Sequence, residues 1–250
     1  MRLMENSFRL PLVLFAAAVL GSTPAQAITV AIVSDRDNTL YESSTGALSN
    51  GAGPSFFAGR TAQATSSIRR GLVHFDVAAA IPAGAVITNA SLALNLTAAS
   101  GGEHAVGLHR VNTSWGEGTS NAGDSGGGGA PSTAGDATWR HRFFPATSWG
   151  VVGGEFVAVA SASIPVGAPG TYVWGSTPAL VANVQAWLDT PSSNHGWLVR
   201  GVESSPSTAK KFESRESAFP ELRPVLTVEY TIPVPAEAVT WGRIKAGYRS

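Results

Sequence analysis

Val86-Ile87-Thr88-Asn89-Ala90-Ser91-Leu92-Ala93-Leu94-Asn95-Leu96-Thr97 decides the fold of this chain. Ala90, Leu92, Leu94 and Leu96 fall on one side of an extended backbone, and Asn89, Ser91, Ala93, Asn95 and Thr97 on the other. A period of two with one apolar side is a strand lying over a core. The next stretch, His104 to Val111, repeats the pattern, with Val106, Leu108 and Arg110 opposed to Gly107, His109 and Val111. Upstream, the strand expected over Arg69 to Phe75 alternates Leu72, His74 and the following Asp76 with Gly71, Val73 and Phe75, which predicts one apolar and one polar face.

Further short strands are expected over 28–33, 39–42, 55–58, 156–164, 170–174, 196–201, 210–214 and 225–230, separated by Gly, Ser, Asn and Pro clusters. Many short strands with turn residues between them predict an all-β sandwich. One helix interrupts them, at about 176–189. Ser176-Thr177-Pro178 offers a capping hydroxyl and a first-turn proline. Leu180, Val181, Val184, Trp187 and Leu188 recur at helical spacing, and Pro191 stops the run. The helix is expected to cover one open end of the sandwich. The predicted core includes Leu92, Leu94, Leu96, Leu108, Val181, Trp187, Trp197, Leu198, Leu226 and Val228.

The chain has 250 residues, no cysteine and only 14% charged residues. Residues 1–27 read as a secretory leader: Arg2 and Arg9 precede an apolar run over 10–20, and Ala25-Gln26-Ala27 supplies the small residues of a cleavage site. The run is too short to span ~30 Å of hydrocarbon. Cleavage would leave no membrane span and a secreted or surface protein starting at Ile28. Without Arg2, Arg9 and Glu5 the chain carries 15 basic and 16 acidic residues. Such a balance gives no long-range attraction to nucleic acid or anionic lipid. Absent thiols exclude a cysteine nucleophile, a cysteine zinc site and an iron–sulfur cluster.

Residues 112–154 form a long irregular section containing Gly126-Gly127-Gly128-Gly129 and bracketed by Trp115, Trp139, Phe143, Phe144 and Trp149. Four consecutive glycines bring no side chain to pack and maximal backbone entropy, so a disordered arc between two anchored ends is expected. After Tyr230, Pro233-Val234-Pro235 ends the sheet, and residues 232–250 read as a basic and aromatic tail carrying Trp241, Arg243, Lys245, Tyr248 and Arg249.

An ordered set of pieces runs through residues 35–230: Asp37-Asn38-Thr39-Leu40-Tyr41-Glu42, Phe57-Ala58-Gly59-Arg60, Arg70 to Asp76, Ile81-Pro82-Ala83-Gly84-Ala85, Trp115-Gly116-Glu117-Gly118, Asp136-Ala137-Thr138-Trp139 and Phe212 to Glu216. In this order they resemble the DNRLRE domain family of secreted bacterial modules. Ser214-Arg215-Glu216 stands where the family's name has Leu-Arg-Glu. The resemblance implies a jelly-roll β-sandwich over 28–231 that carries no catalytic residues and in some relatives binds acidic polysaccharide.

Three constellations carry candidate chemistry. Asp35, Asp37 and Glu42 offer hard oxygens to calcium, or else serve a turn whose Asp and Asn side chains bond nearby amides. Arg69, Arg70, Asp76, Arg215 and Glu216 could clamp sugar carboxylates, but the stronger reading pairs Arg70 with Asp76 and Arg215 with Glu216 as structural ion pairs. Trp115, Glu117, Trp139, Arg140, His141 and Arg142 could stack on and orient a uronic or sulfated sugar; the alternative is that the tryptophans staple the loop. No His-x-x-x-His or Gly-x-Ser-x-Gly pattern occurs, nor do the catalytic strands of jelly-roll glucanases or sandwich alginate lyases. The leading expectation is therefore a secreted non-catalytic module for polysaccharide or another cell-surface component. A structural or adhesive envelope protein is the rival, and a polysaccharide-degrading enzyme the third reading.

Overall fold

The structure, a computed structural model, describes residues 26–233. The expected leader, up to its last two residues, and the tail beyond Pro233 lie outside the described residues. Fifteen strands follow in order: β1 (Ala27–Val33), β2 (Arg36–Tyr41), β3 (Leu48–Ser49), β4 (Ser55–Arg60), β5 (Ile68–His74), β6 (Val86–Ala99), β7 (His104–Arg110), β8 (Ala130–Pro131), β9 (His141–Phe143), β10 (Thr147–Ser148), β11 (Ala162–Val166), β12 (Gly170–Trp174), β13 (Trp197–Arg200), β14 (Lys210–Glu213) and β15 (Val225–Thr231). Two helices join them, α1 (Val77–Ala80) and α2 (Pro178–Asp189).

All pairings are antiparallel. One layer is β1–β15–β6, with β12 on the other edge of β6 and β14–β4 continuing beside its far half. The other is β2–β5–β13–β7–β11, and β4 crosses from the first layer to pair with the start of β5. The result is the expected all-β jelly-roll sandwich with one short covering helix. β6 buries Ile87, Ala90, Leu92, Leu94 and Leu96. Ile87 and Ala90 are three apart, which simple alternation forbids. A bulge at Thr88, where the register against β15 slips between Glu229 and Tyr230, returns both to the core side.

Between the layers Phe56 stacks on Phe212 with centroids 5.5 Å apart, and Trp187 of α2 meets Trp197 at 4.4 Å. Gly71 makes this packing fit, because a Cβ there would lie 2.5 Å from the Phe56 ring. The Thr177 hydroxyl accepts from Leu180 N–H at 3.0 Å and Pro178 opens the first turn, so α2 starts where its cap dictates. Of the predicted core residues only Val181 is less than fully buried, and it still packs against the main cluster.

Two expectations need correction. Strand 156–164 does not form: Phe156 makes a single bridge to Val111, and β11 starts only at Ala162. The second concerns β5, whose expected polar face is buried. Leu72 and His74 are shut off from solvent like Val73 and Phe75: the section after β7 packs over Leu72 as a third layer and His74 is bonded to Asp35, while Asp76 of the same face stays exposed.

Candidate functional site

That third layer is built on the aromatic residues expected to anchor the two ends of the arc. Val111, Trp115, Ala137, Trp139 and Trp149 close over Leu40, Leu72 and Leu198 on the outer side of β2, β5 and β13, making a second core. The indole N–H groups find backbone acceptors: Trp115 donates to the His195 carbonyl at 2.9 Å and Trp149 to the Thr138 carbonyl at 2.8 Å. Even the glycine run is tied down. Tyr41 Oη donates to the Gly126 carbonyl at 2.7 Å, and Arg69, whose guanidinium sits 4.9 Å from the Tyr41 ring, donates to the Gly127 carbonyl at 3.0 Å. Glycines without side chains are held here through their carbonyls, which composition alone does not reveal.

Trp115 and Trp139, read above as sugar platforms, are 1% and 9% exposed, and their faces are taken. Arg36 lies 5.4 Å from the Trp115 ring and Arg70 4.8 Å from the Trp139 ring. They staple the arc to the sandwich, and the stacking reading is withdrawn for both. Gly153, at φ +86°, lets the chain pass over this stack, where a Cβ would lie 2.5 Å from Arg70 Nη1.

Arg70 does not pair with Asp76. Its Nε and Nη2 meet Glu203 at 2.7 and 3.0 Å, and Arg200 reaches the same carboxylate at 3.0 Å. Against the burial of that carboxyl, the two arginines hold it below its usual range. Asp76 instead caps α1, accepting from Ala79 N–H at 3.1 Å. Glu203, in a turn far along the chain from Arg70, had no sequence pattern to mark it.

Asp35, Asp37 and Glu42 do not converge. Asp35 bonds His74 Nδ1 at 2.5 Å, and Glu42 accepts the N–H groups of Ser67 and Ile68 at 2.7 and 2.9 Å. Asp37 is fully buried and accepts from Arg215 N–H at 2.7 Å. The calcium set is withdrawn as a cluster; among the described residues no group of three His, Asp or Glu is placed to hold a metal ion.

Asp37 instead joins an unforeseen constellation. Arg215 makes the expected contact with Glu216, Nε to Oε1 at 2.8 Å, but its aligned hydrogen bonds go to Glu117, two at 2.8 Å. Glu117 also accepts Asp37 N–H at 2.8 Å. Three carboxylates thus gather at Arg215 where β2, the arc and the end of β14 meet, Glu117 and Glu216 on its guanidinium and Asp37 on its backbone N–H. Among the described residues Asp37 Oδ1 and both Glu216 oxygens are buried without a hydrogen-bond donor. Burial, with Glu216 and Glu117 beside it, pushes the Asp37 carboxyl well above its usual range, and burial and Glu117 push Glu216 the same way.

The arc's exposed chemistry sits on the β9–β10 hairpin. Trp149 anchors it, its backbone N–H donating to the Arg140 carbonyl at 3.0 Å. Arg140 is exposed and reaches the Ser44 carbonyl at 2.8 Å. His141, Arg142, Phe143 and Phe144 are half-buried. The Arg142 guanidinium lies 5.3 Å from the Phe143 ring and bonds Ser114 Oγ at 2.9 Å, while His141 meets Phe144 edge-on at 5.2 Å. Of the predicted ligand set, Arg140, His141 and Arg142 are therefore together at the surface, joined by two phenylalanines. The Arg-His-Arg-Phe-Phe run was visible in the sequence, but the larger tryptophans drew the stacking role. By contrast, the open groove between the β6–β7 and β11–β12 turns is lined by Thr97, Gly102, Glu103, Ala168 and Pro169, with neither aromatic nor cation.

No helix among the described residues is long and apolar enough to cross a membrane. A search against models of known protein families gives no match, and a search of curated protein sequences gives none either.

Proposed function

We propose that the protein is an exported, non-catalytic binding module of the DNRLRE type whose β9–β10 hairpin takes acidic polysaccharide. One observation carries this reading: Phe143 and Phe144 are half-open on a hairpin that also carries Arg140, His141 and Arg142. Aromatic faces offer apolar contact to a sugar ring, and guanidinium groups bind carboxylate or sulfate with paired donors. With 17 basic and 17 acidic residues over the chain, attraction to a polyanion is local and salt-sensitive.

Affinity electrophoresis tests it. Gels containing alginate or pectate should retard the protein, neutral xylan should not, and added salt should weaken the effect. The double variant Arg140→Ala/Arg142→Ala should run unretarded while melting within about 1 kcal/mol of the parent, as changes to half-exposed arginines do. Equal mobility in every gel would leave the structural or adhesive envelope role standing. Release of unsaturated or reducing ends from the same polysaccharides would replace both with an enzyme.

A further inference from the structure

The edges of the two layers are unequally protected. On β2 the outward N–H groups of Asp37 and Thr39 are taken by side chains, Glu117 at 2.8 Å and Asn38 Oδ1 at 2.6 Å. β11 carries Pro165, which cannot extend a ladder, and β12 folds back beside it. β4 runs into its pairing with β5. β1 has no such device. Ala27-Ile28-Thr29-Val30-Ala31-Ile32-Val33 contains no charge and no proline, and it pairs with β15 in unbroken register without a bulge. Among the described residues its other edge has no partner strand. Bare edges of this composition are strand-pairing templates, and natural proteins normally guard them.

Exposed apolar side chains gather at the same place. Ile28 is 37% exposed, Val86 48% and Ile232 49%. Val86 and Ala27 both lie opposite Thr231, which brings the start of β1, the start of β6 and the end of β15 side by side.

We infer that β1 is a self-association edge, on which a second copy of this chain pairs β1 antiparallel to β1 about a two-fold axis at Val30. The strand is suited to its own copy. Within Ile28–Val33, the part of β1 that remains after the expected cleavage, an axis at Val30 sets Ile28 against Ile32 and Thr29 against Ala31. Core-side residues then face core-side residues, and no like charges meet across the axis, because β1 carries none. Val30 already packs on the main core, so pairing continues that core across the axis. Six residues span only ~20 Å at ~3.3 Å each. An interface built on one strand is at the small end for stable complexes, so the dimer forms by mass action at high concentration.

Sedimentation velocity on the purified protein from about 1 µM to about 500 µM should show a monomer giving way to a dimer. The double variant Thr29→Lys/Ala31→Lys sets lysine against lysine on both sides of the axis. It should stay monomeric throughout with an unchanged melting temperature, since both positions are exposed and Thr29 lies opposite Glu229, an opposite charge for the new ammonium group. The chain has no cysteine, so register can be read directly: mixed Thr29→Cys and Ala31→Cys proteins should form a disulfide heterodimer under mild oxidation. A monomer at every concentration would overturn the inference. So would a dimer that survives the lysine pair, or protection from hydrogen exchange, in dilute monomer, of the β1 amides that point away from β15, which would mean that another part of the chain covers the edge.

Discussion

Trp115→Ala should lower stability by about 3–5 kcal/mol, the usual cost of emptying a buried large aromatic site. For a chain of this size each kcal/mol is worth roughly 2–4 °C, so the melting temperature should fall by about 10 °C. Two losses add. Trp115 is 1% exposed between Leu40, Leu72 and Leu198 of the strands and the rest of the arc, so truncation leaves a cavity. Loss of its indole N–H also leaves the His195 carbonyl without its donor. Retardation by acidic polysaccharide should survive at temperatures where the variant is folded, because the hairpin is held by Trp149 and Thr138 rather than by Trp115. A variant that melts like the parent but no longer binds would put Trp115 back on an open sugar platform and remove the second core from the argument.

What the sequence showed, and what it hid, divides along the range of the interactions. β6, α2 and the cap at Thr177 were legible because alternation, helical spacing and a capping hydroxyl act within a few residues. The second face of β5 was not. Leu72 read as part of a polar face with His74 and Asp76, because its cover comes from Trp115 and Trp139, brought back by a long excursion. Glu203 as the partner of Arg70, and Glu117 as the partner of Arg215, are set by contacts 133 and 98 residues apart. The signature run Ser214-Arg215-Glu216 did point to an ion pair, but only the fold adds Asp37 and Glu117 to it.

That addition gives the protein a component of stability that falls as pH rises. A carboxyl whose folded pKa is raised binds its proton more tightly in the folded state. Its contribution is fully present below the unfolded value of ~4 and is lost as pH climbs through the folded one. Asp37 and Glu216 are shifted this way, and so is Asp136, by its own burial. Asp35 and Glu203 are shifted down against their own burial, Asp35 by its bond to His74 and Glu203 by its arginines. They act only on the acid side, where stability falls with falling pH. His109 and His195, lowered by burial, work the other way below the free histidine value of ~6.5, so the carboxyl contribution is read from the difference between parent and variants. Arg215→Ala should steepen the fall with rising pH, since three carboxylates then meet with no guanidinium between them. Breaking a buried pair costs about 3–5 kcal/mol, and with the Arg215 side chain 39% exposed about 2–3 kcal/mol is expected at pH 8, less at pH 5. Asp37→Asn should do the opposite, keeping the acceptor for Arg215 N–H while removing one charge. Thermal melts of parent, Arg215→Ala, Asp37→Asn and the double variant from pH 5 to 9 measure this directly. The two substitutions should couple, the second recovering at pH 8 part of what the first loses. Additive effects would mean that these carboxylates do not share one charge.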